Sequence, residues 1–311
     1  KSSSSKNLSK NSSSSKNSSS SLTNTTNSVF IMKPTNLARG EGISLLTDPE
    51  KIVHDYHKVK RRYDLNTLRE HSKSIKRKRR DGQYCLTKRI IQRYILKPLL
   101  LNKRKFDIRV YLFIADAKLE VLFYHKGHLR LTAIDYDADL SSPDNMFAHL
   151  TNTALQCHHP DWTDKGTRWS FDEFAHYLFE NKVVASKQWV QQVLEEQMKR
   201  VLYFAFASVK ERLLASYDSR GPFCILGVDF MVDENLRLWL IEFSGSPGSH
   251  SNTLTSTGAA FVKMLGEAST IAMEYRDNEI AAKKPFTTHA QVMHAIRKAV
   301  NVWQPIYNPI K

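Results

Sequence analysis

Two carboxylates interrupt two otherwise apolar runs: Asp229 lies between Val228 and Phe230, and Glu242 follows Trp239-Leu240-Ile241. Branched and aromatic residues fill Ile225 to Val232 and Leu236 to Phe243, and Asp233-Glu234-Asn235 is a polar turn, so the segment reads as a β-hairpin. Alternation predicts Leu238, Leu240, Glu242 and Ser244 on one face of the second strand, with Trp239, Ile241 and Phe243 on the other. Both acids fall toward the open end. Carboxylates in an apolar sheet are costly unless a cation or donors meet them, and hard oxygen ligands shared with phosphates are what Mg2+ requires. Pairing with a nearby Lys or Arg, or simple exposure, is the plainer alternative.

A second strand carries the complementary charge. Phe106, Ile108, Val110, Leu112 and Ile114 form one apolar face, which puts Lys105, Asp107, Arg109 and Tyr111 together on the other. Such a row suits a site that handles anions, and equally a solvated face with its own salt bridge. Leu119 to Tyr124 and Leu129 to Ala133 continue an antiparallel meander around Lys126-Gly127-His128, with Arg130 in the last strand.

The elements that would position these groups follow from the flanking chain. Ser28 to Lys33 reads as a short strand, and Arg39-Gly40-Glu41-Gly42-Ile43 as a loop whose glycines let backbone N-H groups approach a phosphate while Lys33 reaches another. Two glycines are also simply a hairpin turn. Ile90 to Ile95 is a further strand. His149-Leu150-Thr151-Asn152 offers polar groups for a ribose or phosphate, or for capping a turn. His158-His159 lack Cys or Asp at ligand spacing and read as surface residues. Ser170-Phe171-Asp172-Glu173 is a capping box. Helices are expected from about Ser186 to Ala215, from Thr257 to Tyr275 ending before Arg276-Asp277-Asn278, and around Ala290 to Trp303, with proline-rich coil after that.

Composition bounds the partners. Net charge is +15 over 311 residues; the first 110 residues carry 26 basic and 8 acidic side chains, the rest 20 and 23. Residues 1 to 27 are nearly all Ser, Lys, Asn and Thr and read as disordered. Residues 51 to 82 read as an exposed basic insertion ending in Lys76 to Arg80, which suits an acidic partner or a nuclear address; without aromatic interleaving, nucleic acid is the weaker reading. Cys85, Cys157 and Cys224 lie far apart, which fits a reducing setting. No apolar run approaches membrane-spanning length.

Taken in order, Lys33 with Arg39 to Ile43, Gln92-Arg93-Tyr94-Ile95, Lys105-Phe106-Asp107-Ile108-Arg109, His149 to Asn152, Gly227-Val228-Asp229-Phe230 and Trp239 to Glu242 resemble the tubulin tyrosine ligase and tubulin tyrosine ligase-like family. The resemblance covers about Val29 to Leu265. It implies an α+β ATP-grasp fold, two lobes closing on ATP within residues 28 to 280, followed by a helix and coil over 281 to 311. It implies a ligase that uses ATP and Mg2+ to join a free amino acid, tyrosine favoured and glutamate or glycine as options, to the acidic C-terminal tail of tubulin.

Carried over by residue, Lys33 contacts ATP phosphates and Arg39, Gly40, Gly42 and Ile43 cover them. Gln92, Arg93, Tyr94 and Ile95 form the adenine-side hinge, and Lys105, Asp107, Thr151 and Asn152 border the nucleotide. Arg109 and Arg130 orient the acceptor carboxylate, and Asp229, Glu242 and Ser244 hold the metal. The implied chemistry activates a carboxylate as an acyl phosphate, which an amine then displaces; positive charge must gather where anions crowd together.

The chain departs from the family pattern at Ser244, where an Asn is usual, and at Cys157, where a Lys follows the Gln. A Ser-rich tract stands where the family has a separate N-terminal domain. The alternative reading is therefore a weak or inactive ATP-grasp module that binds acidic tubulin tails. The resemblance implies a monomer in the cytoplasm, on the cytoskeleton, with the cilium or basal body as options and the nucleus as another through Lys76 to Arg80.

Overall fold

The computed structural model describes residues 29–35, 39–47, 89–142, 144–216, 223–245, 247, 256–296 and 303–310. The expected disordered start and the basic insertion lie outside the described residues. Thirteen-residue strand β5 (Arg104–Asp116) is the axis of the larger sheet, because its alternation of apolar and polar residues lets it serve two layers at once. It pairs on one side with β6 (Val121–Leu131) and on the other with β8 (Cys224–Val232); β9 (Leu238–Ser244) extends that side, and β10 (Gln304–Ile306) closes the far edge beside β6. Short β4 (Leu100–Leu101) and β7 (Arg168–Trp169) pair with β5 and β6. Neighbours are antiparallel throughout.

One face of this sheet, Phe106, Ile108, Val110, Leu112 and Ile114 of β5, packs with α1 (Phe171–Glu180) and α2 (Glu195–Ser216) into the main core. The capping box is present, with Ser170 Oγ accepting from the Glu173 N-H and the Ser170 N-H donating to the Glu173 carboxylate. The other face is covered over half its length. Tyr111, Phe113 and Ala115 pack under α3 (Ser256–Ala282) and α4 (His289–Ile296) with Trp303, whereas Lys105, Asp107 and Arg109 continue the same face beyond those helices. That bare half is where the site forms. A smaller sheet of β1 (Phe30–Pro34), β2 (Ser44–Leu46) and β3 (Arg89–Arg93), in the order β2-β1-β3, packs through Val29, Ile31 and Leu45 onto Tyr94 and Leu150. The result is an α+β fold of ATP-grasp type.

Several sequence expectations change. The turn expected at Lys126-Gly127-His128 is instead the middle of β6; the chain reverses before Val121, with Glu120 at φ 58°. Register slips at Gly127, since Arg109 pairs with His128 but Val110 pairs with Lys126. A Cβ on Gly127 would lie 2.4 Å from the Arg109 carbonyl oxygen, so only glycine allows this bulge. The bulge turns Tyr124 and Leu122 to the core while His128 and Arg130 face the site.

A second slip, between Asp229 and Phe230 on β8, leaves Ile241 as the extra residue of β9. Leu240 pairs with core-facing Phe230, and Glu242 pairs with Asp229, so Leu240 and Glu242 lie on opposite faces, contrary to simple alternation. The hairpin turn runs to Arg237, with the Asp233 carboxylate accepting from the Asn235 and Arg237 N-H groups and from Trp239 Nε1. The second long helix opens with a π-helical turn at Val190–Leu194. The third runs through Arg276-Asp277-Asn278, which are polar but not helix-breaking, and stops at Lys283, φ 54°. Helix α4 is described over His289–Ile296, and residues 297–302 of its expected span lie outside the described residues; Gln304–Ile306, expected as coil, joins the sheet edge, where Pro305 is tolerated.

Candidate active site

The four central strands bring the predicted charges to one patch. Asp107 and Arg130 are register partners, as are Arg109 and Asp229, and Asp229 and Glu242. Arg130 donates from Nε and Nη2 to the two oxygens of Asp107, at 2.7 and 2.6 Å, and reaches Asp229 at 2.8 Å. Arg109 forks onto both oxygens of Asp229. Burial alone would lower the Arg130 pKa, but Asp107 and Asp229 raise it above the ordinary arginine value. Asp229 is 3% exposed; burial opposes its charge, yet Arg130 and Arg109 hold its carboxyl below the usual range.

Glu242 is the contrasting carboxylate. It sits at the exposed rim, and partial desolvation followed by the nearby Asp229 raises its pKa, with Lys33, Arg130 and Arg109 opposing. Two carboxylates at one place in a sheet repel, and a divalent cation relieves that repulsion. Among the described residues no group of three or more His, Cys, Asp or Glu could hold a metal. Two carboxylates with phosphate oxygens still suit Mg2+, which seldom takes an all-protein cage. Ser244, opposite Gly227 and on the Glu242 face, adds a hydroxyl at the rim.

Lys105 lies deeper, 3% exposed, donating to Tyr94 Oη at 2.8 Å and to the His149 carbonyl at 2.9 Å, its ammonium 4.3 Å from the Tyr94 ring centre. Burial pulls its pKa down to about 7; Asp107 opposes and Lys33 adds to the shift. Lys33 thus acts electrostatically on both Lys105 and Glu242, which ties β1 of the small sheet to the large sheet's site. Thr151 Oγ1 donates to the Asp107 carboxylate. The glycine loop comes to the same place: a Cβ on Gly40 would be 3.4 Å from Asn152 Oδ1, and Arg39, Gly40 and Gly42 all have positive φ. Ile43 and Tyr94 belong to the small-sheet core, while Gln92 and Arg93 are exposed on the edge strand.

Sequence reasoning missed three contributors. Gln156 is fully buried; its Oε1 accepts from the Ala133 N-H at 2.7 Å and its Nε2 donates to the Phe147 and Leu150 carbonyls, so it clamps the His149-to-Asn152 segment to the end of β6. His128 stands opposite Arg109, and Arg168 opposite Arg130. Glycine at 227 leaves room for Arg109, since a Cβ there would be 2.8 Å from Nη1. The buried glutamine between two loops was a legible signal; the two-residue strand carrying Arg168 was not.

A half-bare sheet face holding paired carboxylates among arginines and lysines, overhung by a glycine-containing loop from a second small sheet, is an ATP-grasp arrangement. The chain belongs to the tubulin-tyrosine ligase family, whose model matches residues 4–261. It is 33% identical over 229 residues to the protein polyglycylase TTLL10 of Macaca fascicularis, covering 72% of this chain and 34% of that protein. It is 32% identical over 229 residues to a human relative named inactive polyglycylase TTLL10, covering 72% of this chain and 32% of that protein. It is also 29% identical over 234 residues to a probable alpha-tubulin polyglutamylase Ttll1 of Tetrahymena thermophila, covering 75% of this chain and 50% of that protein. The chain therefore spans from about a third to half of the length of these relatives.

Proposed function

We propose that this chain is the catalytic module of an ATP-dependent ligase that joins an amino acid to a side-chain carboxylate on the acidic tail of tubulin. The observation that carries the reading is the register pairing of Asp229 with Glu242 beside Arg109 and Arg130. It sets two candidate metal ligands next to two cations that fit a carboxylate. The relatives above are named as a polyglycylase, an inactive polyglycylase and a probable polyglutamylase, which moves the favoured amino acid from tyrosine to glycine.

In this reading Asp229 and Glu242 would hold Mg2+, and ATP would supply the phosphoryl group that makes a carboxylate a good acceptor and leaves as phosphate when the amine attacks. The chain's own residues do the rest. Arg109 and Arg130 hold the acceptor carboxylate and stabilise charge that develops on its oxygens. Lys105 and Lys33 neutralise phosphate oxygens, while Thr151, Asn152 and the loop at Gly40 and Gly42 position them. The amine enters from the exposed rim near Ser244. Such a protein would work on microtubules in the cytoplasm.

The test is mass spectrometry of tubulin after incubation with the protein, ATP, Mg2+ and isotopically distinct glycine, glutamate and tyrosine. Glycine adducts on acidic tails are expected. Adducts of tyrosine alone would overturn the choice of amino acid, and no adduct with any of them would favour the inactive tail-binding reading.

A further inference from the structure

Arg168 stands directly across the β6–β7 ladder from Arg130, so two guanidiniums share one face at adjacent strands. Like charges directly opposite each other are destabilising unless an anion joins them. Arg130 is already engaged by Asp107 and Asp229. Among the described residues Arg168 has one carboxylate, Asp164 at 3.3 Å, on the first turn of the short helix Asp164–Thr167, its side chain 42% exposed. His128, facing Arg109, belongs to the same cluster: burial, then the Arg168, Arg130 and Arg109 guanidiniums, push its pKa down to about 3. It therefore adds no charge at neutral pH, and the surplus on this side of the site is borne by the arginines.

The ligase reading uses one acceptor carboxylate, at Arg109 and Arg130. Side chains on one face of an extended peptide repeat about every 7 Å, and neighbouring strands of a sheet are about 5 Å apart. An acidic polypeptide with its reacting carboxylate over Arg130 would therefore carry its next acid over β7. Asp164, half-buried and, among the described residues, held by one ion pair, is a carboxylate that an incoming one can replace.

We propose that Arg168 is an acceptor-reading residue that binds the carboxylate of a second acidic side chain, next to the one modified, displacing Asp164. The proposal rests on the ligase reading, and it makes the module select clustered rather than isolated acids.

The experiment measures fluorescence anisotropy of the full chain, with a non-hydrolysable ATP analogue and Mg2+, on two labelled peptides. One contains a run of glutamates; in the other, all but the central glutamate are glutamine. Arg168→Gln should weaken binding of the glutamate run about fivefold and leave the single-glutamate peptide unchanged. Asp164→Asn keeps Arg168 and removes its competitor, so it should tighten binding of the run by a similar factor. If the pair were only a structural salt bridge, both variants would break it alike and shift binding in the same direction, and that result overturns the proposal. So does an Arg168→Gln protein that still discriminates between the peptides. If the wild type binds neither peptide, the ligase reading itself fails, which the variants would not be needed to show.

Discussion

Glu242 faces Asp229 because β9 holds one extra residue, Ile241, between the partner of Phe230 and the partner of Asp229. With regular alternation the glutamate would follow Leu240 onto the core face. The bulge thus aims the side chain, as bulges beside active sites commonly do. Exchanging the two residues, Ile241→Glu with Glu242→Ile, keeps the composition but leaves the carboxylate on the unpaired bulge residue instead of opposite Asp229. Amino-acid transfer should fall at least about a hundredfold, since a lost charge-stabilising group costs that much or more. Binding of an acidic peptide, which depends on Arg109, Arg130 and Arg168, should persist. Transfer within a few-fold of wild type would show that the register does not matter.

Gly227 and Arg109 are coupled through space. Gly227→Ala places a Cβ 2.8 Å from the Arg109 guanidinium and 3.1 Å from Pro247, so Arg109 must tilt off Asp229. We expect a loss of kcat/KM of about tenfold to a hundredfold. In an Arg109→Lys background, whose head lacks the clashing nitrogen, the same alanine should cost much less. Equal losses in both backgrounds, measured as a double-mutant cycle, would mean that the glycine serves the backbone alone.

Lys105 links the site to protons. Its folded pKa of about 7 lies well below the ordinary 10.5, because burial outweighs the attraction of Asp107. Between pH 7 and about 10 the unfolded chain binds the extra proton, so this group's contribution makes stability rise with pH across that window and adds nothing further above it. Below pH 7 the penalty is fully present, on the order of a few kcal/mol. Phosphate oxygens of a nucleotide would restore the charge. Calorimetry at pH 8 in buffers of different ionisation enthalpy should therefore show proton uptake on nucleotide binding, and Lys105→Met should abolish it. Nucleotide binding with no proton uptake at pH 8 would contradict this role.

Gln156 offers a structural control. Gln156→Leu removes three hydrogen bonds and leaves the Ala133 N-H and the Leu150 carbonyl unpaired. Stability should drop by about 2 to 4 kcal/mol, read by denaturant unfolding. A change below about 0.5 kcal/mol would show that water takes its place.

The charged face of β5 was legible because Lys105 to Ile114 alternate without an extra residue in the strand itself; its own slip, at Ala115, falls beyond the charged half. The two acids of the hairpin were legible because carboxylates stand out in apolar runs. What the sequence hid was the phase of their neighbours. One inserted residue at Gly127 or Ile241 inverts every side chain beyond it, and alternation cannot show where the insertion falls. Gly127 inside an apolar run was a hint toward a bulge and was read as a turn. Arg276 to Asn278 lack a helix breaker, so their polarity was too weak a sign of an end; Pro305 argued against a strand, but an edge position removes that objection. Arg168 escaped notice because a two-residue strand has no period.

The central claim is that Asp229 and Glu242 together hold a divalent metal with a nucleotide. Its most direct measurement is the affinity of a fluorescent ATP analogue with and without Mg2+, for the wild type and for Glu242→Gln. The account predicts that Mg2+ tightens wild-type binding by about tenfold or more and leaves the variant nearly unchanged. An equal Mg2+ effect in both proteins, or nucleotide affinity indifferent to Mg2+ in the wild type, would contradict it.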